Sequence, residues 1–195
     1  GADILTGGSG SDTFLLPTAA ESGGSNLDTI TDFTTGADTI KITVTEANLD
    51  TATDLGATKF AATDLGDVST FAEVEAILSK KAGEAVYVKD SAQLVIDING
   101  DANINSDDIR INLTGTTAYD DADVVYAITG VSDEALTYDL GDGADTFTAP
   151  ISNAGTAVVD TVNGNGGADT ITIDGFGASV INGGAGNDII NVAFT

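Results

Sequence analysis

The sequence predicts a mainly-β protein wound as a parallel β-roll, in two roll regions with a small helix-containing insert. Three observations predict it. Gly7-Gly8-Ser9-Gly10-Ser11-Asp12-Thr13-Phe14-Leu15 fits the nine-residue pattern Gly-Gly-x-Gly-x-Asp-x-apolar-x without a mismatch. Gly183-Gly184-Ala185-Gly186-Asn187-Asp188-Ile189-Ile190-Asn191 fits it again. Several partial copies keep the spacing from Asp to the apolar residue. Each place has a mechanical reason. Glycines such as Gly8 and Gly10 reach the φ > 0 turns that bring backbone carbonyls close to an ion. The Asp at the sixth place offers the hard oxygen that calcium takes. The apolar eighth place points inward and stacks on its neighbours.

From the N-terminus, a half repeat at 1–6 runs into the full repeat at 7–15. Asp3 and Asp12 hold the ligand place; Leu5 and Phe14 hold the inward place. A Ser/Gly-rich loop follows at 22–26. Then Asp28, Asp32, Gly36 and Asp38 stand among Ile30, Ile40 and Ile42, whose alternation with polar residues reads as strands. A short helix is expected within 45–56. A longer helix is expected at 67–82: Thr70 and Glu73 form a capping-box pair, and Phe71, Val74, Ile77 and Leu78 share one face. Lys80 and Lys81 suit its C-terminal end, and Gly83 its stop. Strands are expected at 85–89, 93–98 and 109–113, ending at the Gly115 turn. The chain is expected to divide into a first roll with its insert at 1–117 and a second roll at 118–195.

The C-terminal repeats align on Asp as 140–148, 155–163, 164–172, 174–182 and 183–191. The loop 149–154 interrupts them, and Ile173 is an insertion. Asp145, Asp160, Asp169, Ser179 and Asp188 hold the ligand place; Phe147, Val162, Ile171, Ile181 and Ile190 point inward. Asp142, Asn165, Gly167, Gly184 and Gly186 complete the candidate ligands of these turns. In a roll with two repeats per coil, repeats n and n+2 stack on the same edge. By that geometry Asp169 and Asp188 share one calcium. Asp160 faces Ser179, a weaker or empty site. Asp12 and Asp3 lie on opposite edges, with partners either outside the chain or supplied by 28–38. The competing reading is ordinary polar Asp-Gly turns.

A second constellation is Asp97-Ile98-Asn99-Gly100-Asp101-Ala102-Asn103-Ile104-Asn105-Ser106-Asp107-Asp108. Asp97, Asn99, Asp101, Asn105 and Asp108 put side-chain oxygens at places 1, 3, 5, 9 and 12 of a calcium loop, and Asn103 offers its carbonyl at place 7. Ile104 at place 8 suits a hydrophobic partner. It resembles a dockerin or EF-hand-like loop, with Ala102 where Gly is usual and a strand-like exit. The alternative is an Asx-rich turn between strands.

Composition sets further bounds. The 195 residues carry 31 Asp and Glu against 6 Lys and Arg, a net charge of -25. A field of that sign excludes nucleic acid and anionic membrane surfaces as partners. Disorder competes with metal-dependent folding as a reading of this acidity; the fixed distances from Asp to Gly and to apolar residues favour folding. Without Cys or His, zinc, haem, iron–sulfur and thiol chemistry lose their usual ligands. No apolar run approaches a transmembrane segment. No phosphate-binding or nucleophile-elbow motif stands clear of the calcium turns, and the placed carboxylates are accounted for as ligands. The four Tyr, Tyr87, Tyr119, Tyr126 and Tyr138, read as core or strand residues rather than a carbohydrate platform.

Gly7–Leu15, the run Asp28-x-Ile30-x-Asp32-Phe33-x-x-Gly36-x-Asp38-x-Ile40, and Gln93–Asp101 with Ile109-x-Ile111-x-Leu113-x-Gly115 together carry a family resemblance. Residues 1–130 resemble the C-terminal β-roll region of serralysin-type secreted proteins, members of the repeats-in-toxin (RTX) superfamily. The resemblance implies export through a type I channel as an unfolded chain, and folding outside the cell once millimolar calcium fills the roll. The family's C-terminal secretion signal is not evident at 191–195. Opening on the second half of a repeat, the chain is expected to be a segment of a longer protein. The expected function is a non-enzymatic, calcium-dependent structural module of a secreted or cell-surface bacterial protein, of S-layer or adhesin type. Several calcium ions are its cofactors, and neighbouring copies or modules of the parent its partners. The alternative is the secretion and folding segment of an exported hydrolase, protease or toxin.

Overall fold

A computed structural model describes residues 1–16, 18, 22–23, 25–45, 58–117, 119–129, 135–150, 159–174 and 178–193. The strands in chain order are β1 (Ile4–Leu5), β2 (Thr13–Leu16), β3 (Asp28–Ile30), β4 (Thr39–Thr45), β5 (Thr58–Val68), β6 (Ala82–Val88), β7 (Gln93–Asp97), β8 (Ile109–Leu113), β9 (Val124–Thr129), β10 (Thr137–Asp139), β11 (Thr146–Pro150), β12 (Val159–Asn163), β13 (Thr170–Asp174), β14 (Ala178–Asn182) and β15 (Ile189–Ala193). They form two sheets. The first runs β1-β3-β8-β7-β6-β5-β10-β12-β14, and the second runs β15-β13-β11-β9-β4-β2. At both ends of the molecule the chain alternates between sheets, strand by strand, which is the winding of a roll. Every pairing is parallel except β6–β7 and β7–β8.

Short strands that alternate inward and outward explain the winding. Parallel register stacks each inward residue on the next: Phe147 lies beside Ile171, and Ile171 beside Ile190. Phe14, Ile30, Ile40, Ile42, Phe147, Val162, Ile171 and Ile173 are buried between the sheets. Each large side chain so buried stabilises the roll by about 1.5–3 kcal/mol. Phe60, Tyr126, Tyr138 and Phe147 meet at centroid distances of 5.3–6.1 Å and fill the middle of the core. All four Tyr are buried, as expected, and the Tyr126 hydroxyl donates to the Gly83 carbonyl at 2.7 Å.

The insert widens the first sheet. β5 pairs in parallel with β6, and β6 to β8 form an antiparallel meander whose outer face is covered by helix. The expected 67–82 helix is much shorter: a 3-10 turn at Phe71–Glu73 followed by α1 (Val74–Ile77). The Glu73 carboxylate accepts from the Ser69 and Thr70 amides at 2.9 and 3.2 Å, so the capping signal marks the start. Its stop does not lie at Gly83. Lys80 has φ +69, and Gly83, with φ +96, stands inside β6 under the Phe60 ring. Val74 is buried against Val86, Val88 and Val95, with Phe71, Leu78 and Ile104 around it; Ile77 is instead exposed. That second layer explains why β6 is buried at every residue and shows no alternation.

Strands 85–89, 93–98 and 109–113 correspond to β6, β7 and β8, with β6 beginning at Ala82. The expected short helix at 45–56 lies almost wholly outside the described residues. Across the expected 117/118 division, β4 pairs with β9 and β5 with β10, and one apolar core holds residues from both sides.

Candidate metal-binding turns

Turns at one edge of each sheet place the repeat Asp residues one above another. Each carboxylate accepts a hydrogen bond from the backbone amide of the preceding coil. Asp188 Oδ1 accepts from the Asp169 amide at 3.1 Å, and Asp169 Oδ1 from the Asp145 amide at 2.9 Å. Likewise Asp38 takes the Asp12 amide at 3.0 Å, Asp28 the Asp3 amide at 2.8 Å, and Asp160 the Leu136 amide at 3.0 Å. The n, n+2 stacking thus brings Asp169 beside Asp188, Asp12 beside Asp38, and Asp3 beside Asp28. Residues 28–38 thus supply the carboxylates stacked beside Asp3 and Asp12.

These turns suit a hard cation on observations of the second carboxylate oxygen. Asp12 Oδ2 and Asp169 Oδ2 are buried and accept no hydrogen bond. A buried carboxylate oxygen without a partner is costly unless a cation meets it. Burial pushes the Asp169 carboxyl above its ordinary pKa; the Asp145 amide opposes this, and the Asp188 charge adds to it. The repeat's first glycine makes the room. A Cβ on Gly7 would lie 2.5 Å from Asp12 Oδ2, and one on Gly183 2.5 Å from Asp188 Oδ2. At Gly164 it would collide with both Asp169 Oδ2 and the Gly183 carbonyl, and at Gly184 with the Asn165 carbonyl. Gly8, Gly10, Gly36, Gly167, Gly184 and Gly186 have φ between +74 and +140, and Asn165 has φ +62. Backbone carbonyls crowd the C-terminal turns at Gly164, Gly167, Gly184 and Gly186, and the Gly183 carbonyl lies on the side of the free Asp169 Oδ2. Among the described residues, no three His, Cys, Asp or Glu side chains gather as a metal cluster.

Other candidate carboxylates also accept from backbone amides. Asp32 accepts from the Gly7 and Gly8 amides at 3.0 and 2.8 Å, and Asp38 Oδ2 from the Thr34 amide at 2.9 Å. Asp142 is exposed next to the Gly166 turn. Ser179 stands opposite Asp160, as expected, and its buried hydroxyl finds no partner. Two residues escaped the sequence reading. Asp123 accepts from the Gly36 and Asp120 amides at 2.7 and 3.0 Å, with burial raising its pKa. No Gly-x-Asp spacing announces it; its only signal is the Val124-Val125-Tyr126 strand that follows. Buried Ser22 accepts from the Asp28 amide at 3.0 Å, because β8 sets Ile111 there instead of an acceptor.

The 97–108 segment folds on its own amides. Asp97 accepts from Gly100 and Ala102 at 2.6 and 2.9 Å, and Asp108 from Ile98 and Asn105 at 3.2 and 3.0 Å. Asn99 accepts from the Asp101 amide, Asp101 from Asn103, and Asn105 from Asp107. Ala102 takes φ +60 at the place where a calcium loop has glycine. Burial pushes Asp97 up to about 6 and Asp108 up to about 7, their amide donors opposing the rise. Ile104 joins the cluster beneath α1, and the exit is strand β8, not a helix.

Residues 1–126 match the family described as peptidase M10 serralysin C terminal. No curated protein and no solved structure matches the chain.

Proposed function

The chain belongs to the peptidase M10 serralysin C-terminal family, and on that premise we propose that it is a calcium-dependent folding and structural module of an exported protein, itself without catalysis. The observation that carries this reading is the pair of buried, unpartnered Oδ2 atoms of Asp12 and Asp169 in glycine turns, that of Asp169 beside the Gly183 carbonyl. Asp12 with Asp38, and Asp169 with Asp188, are the pairs that would hold ions. Bound calcium would supply charge neutralisation and coordination between stacked turns. The residues themselves do the rest: glycines admit the carbonyls, Oδ1 atoms fix the neighbouring coil, and apolar residues stack. Loss of the ions leaves a chain of net charge -25 to repel itself.

Circular dichroism titration tests the reading. In chelator the chain is expected to be largely disordered, and millimolar calcium to bring in the β signal. A full β spectrum in excess chelator would sink it. Asp188→Ala should lower the measured calcium stoichiometry by one; an unchanged count would reject the Asp169–Asp188 pairing.

For the parent protein, two readings divide. Composition favours a surface-layer or adhesin module, since the chain lacks Cys, His and Met. The matched family, a peptidase C terminus, favours the folding segment of a type I-secreted hydrolase or protease. The full-length gene decides: a catalytic motif upstream supports the second, and repeated non-catalytic modules the first.

A further inference from the structure

Four asparagines of this chain are followed by glycine: Asn99, Asn163, Asn165 and Asn182. Such a pair carries its own chemistry. The glycine nitrogen attacks the asparagine Cγ, ammonia leaves, and a five-membered imide forms. Water then opens the imide at one carbonyl or the other, giving aspartate or isoaspartate. No oxidant, reductant or metal takes part. Glycine permits the attack because it has no Cβ to obstruct the closing ring. In a folded chain two further conditions decide. The side-chain amide must be free to turn toward the nitrogen, and the nitrogen must not be held firmly by an acceptor.

The four pairs differ in both respects. Asn99 Nδ2 donates to Asp101 Oδ2 at 3.3 Å, its Oδ1 accepts from the Asp101 amide at 3.1 Å, and the Gly100 amide donates to Asp97 Oδ1 at 2.6 Å. Asn163 stands in a side-chain ladder between coils. Its Nδ2 donates to Asp139 Oδ1 at 2.7 Å, its Oδ1 accepts from Asn182 Nδ2 at 2.8 Å, and the Gly164 amide donates to the Asn182 carbonyl at 2.7 Å. The same ladder ties Asn182. Asn165 is outside it. Its residue is exposed, and among the described residues its side-chain amide has no hydrogen-bond partner. The Gly166 amide reaches the Gly141 carbonyl at 3.3 Å, a longer contact than those of Gly100 and Gly164. The Asn165 backbone is left-handed, with φ +62.

We propose that Asn165 is a site of spontaneous covalent modification in the folded chain, closing an imide with the Gly166 nitrogen and opening to isoaspartate and aspartate. Both products add a negative charge to the 164–169 turn. Isoaspartate also routes the main chain through the side-chain carbon and lengthens it by one atom. The site is packed for the shorter backbone: the Asn165 carbonyl accepts from the Ala185 amide at 2.8 Å, and even a Cβ on Gly184 would collide with that carbonyl. The longer backbone therefore loosens the contact between this turn and the one at 183–188.

Peptide mapping by mass spectrometry, with electron-transfer fragmentation to tell isoaspartate from aspartate, tests it. The 195-residue chain is aged at mildly alkaline pH in two samples, one folded by circular dichroism and one unfolded in guanidinium. In the unfolded sample the four Asn-Gly pairs should convert at similar rates. In the folded sample Asn165 should convert first, ahead of Asn99, Asn163 and Asn182. Gly166→Ala supplies the control, because its φ is not left-handed and a Cβ there lies in ordinary contact, 3.5 Å from Asp142 Oδ1. That variant should keep the spectrum and lose the conversion at Asn165. Aged folded chain should melt below fresh chain, and aged Gly166→Ala should not. A folded chain in which another of the four asparagines converts first, or all four together, overturns the proposal. Undiminished conversion in Gly166→Ala overturns the imide route. An aged, converted chain that melts with the fresh one overturns the loosening of the turn.

Discussion

Gly164 and Gly8 are both glycines of the repeat, but for different reasons. A Cβ on Gly164 has no room between Asp169 Oδ2 and the Gly183 carbonyl, whereas one on Gly8 meets nothing within 4 Å and is opposed only by φ +102. Gly164→Ala should therefore cost about 1–3 kcal/mol through overpacking and lower calcium affinity as well. Gly8→Ala should cost about 1 kcal/mol, the price of a left-handed backbone for alanine. Thermal unfolding in calcium checks the order; equal losses would mean that the carbonyl cradle is not rigid. At this scale the sequence showed which Asp residues stack, because spacing to Gly and Ile carries that information. It did not show Asp123 or Ser22. Both serve coils from outside the repeat, and only the tertiary approach of Gly36 and β8 gives them their partners.

The 97–108 loop is an element whose balance depends on pH. Asp97 and Asp108, with pKa raised to about 6 and about 7 from 3.8, keep protons that the unfolded chain has already released. The folded chain thus binds more protons, and their stabilising effect is full below about pH 4 and is lost as pH rises through the folded values. In chelator, the residual β signal should be strongest in mild acid and fade toward pH 7; Asp97→Asn with Asp108→Asn should flatten that slope. A slope unchanged in the double variant would assign it to the remaining carboxylates. α1 teaches a different lesson. Thr70 and Glu73 mark its start, since capping is local. Its end carries no such mark: β6 is covered on both faces and offers no alternation, so Gly83 resembles a helix stop. Val74→Ala, which empties the layer between α1 and β6, should cost about 2 kcal/mol in thermal unfolding and leave the calcium count unchanged.

On the scale of the whole molecule, alternating apolar residues and turn glycines made the two-sheet winding legible. The four-strand detour of β5 to β8 was not, because its order in the sheet comes from pairing across long sequence separations. The detour has its own double-layered core and antiparallel neighbours, so it depends least on calcium turns. Hydrogen exchange at sub-saturating calcium should find β6 and β7 protected before β13 and β15; simultaneous protection would mean one cooperative unit. The ladder of carboxylates also has a sense. Removing β1 and β2 returns the carboxylates of Asp28 and Asp38 to water, where they are at ease. Removing β15 with its turn takes away Asp188 Oδ1, the acceptor of the Asp169 amide. Trimming the roll should therefore be tolerated from the β1 side and unravel it from the β15 side.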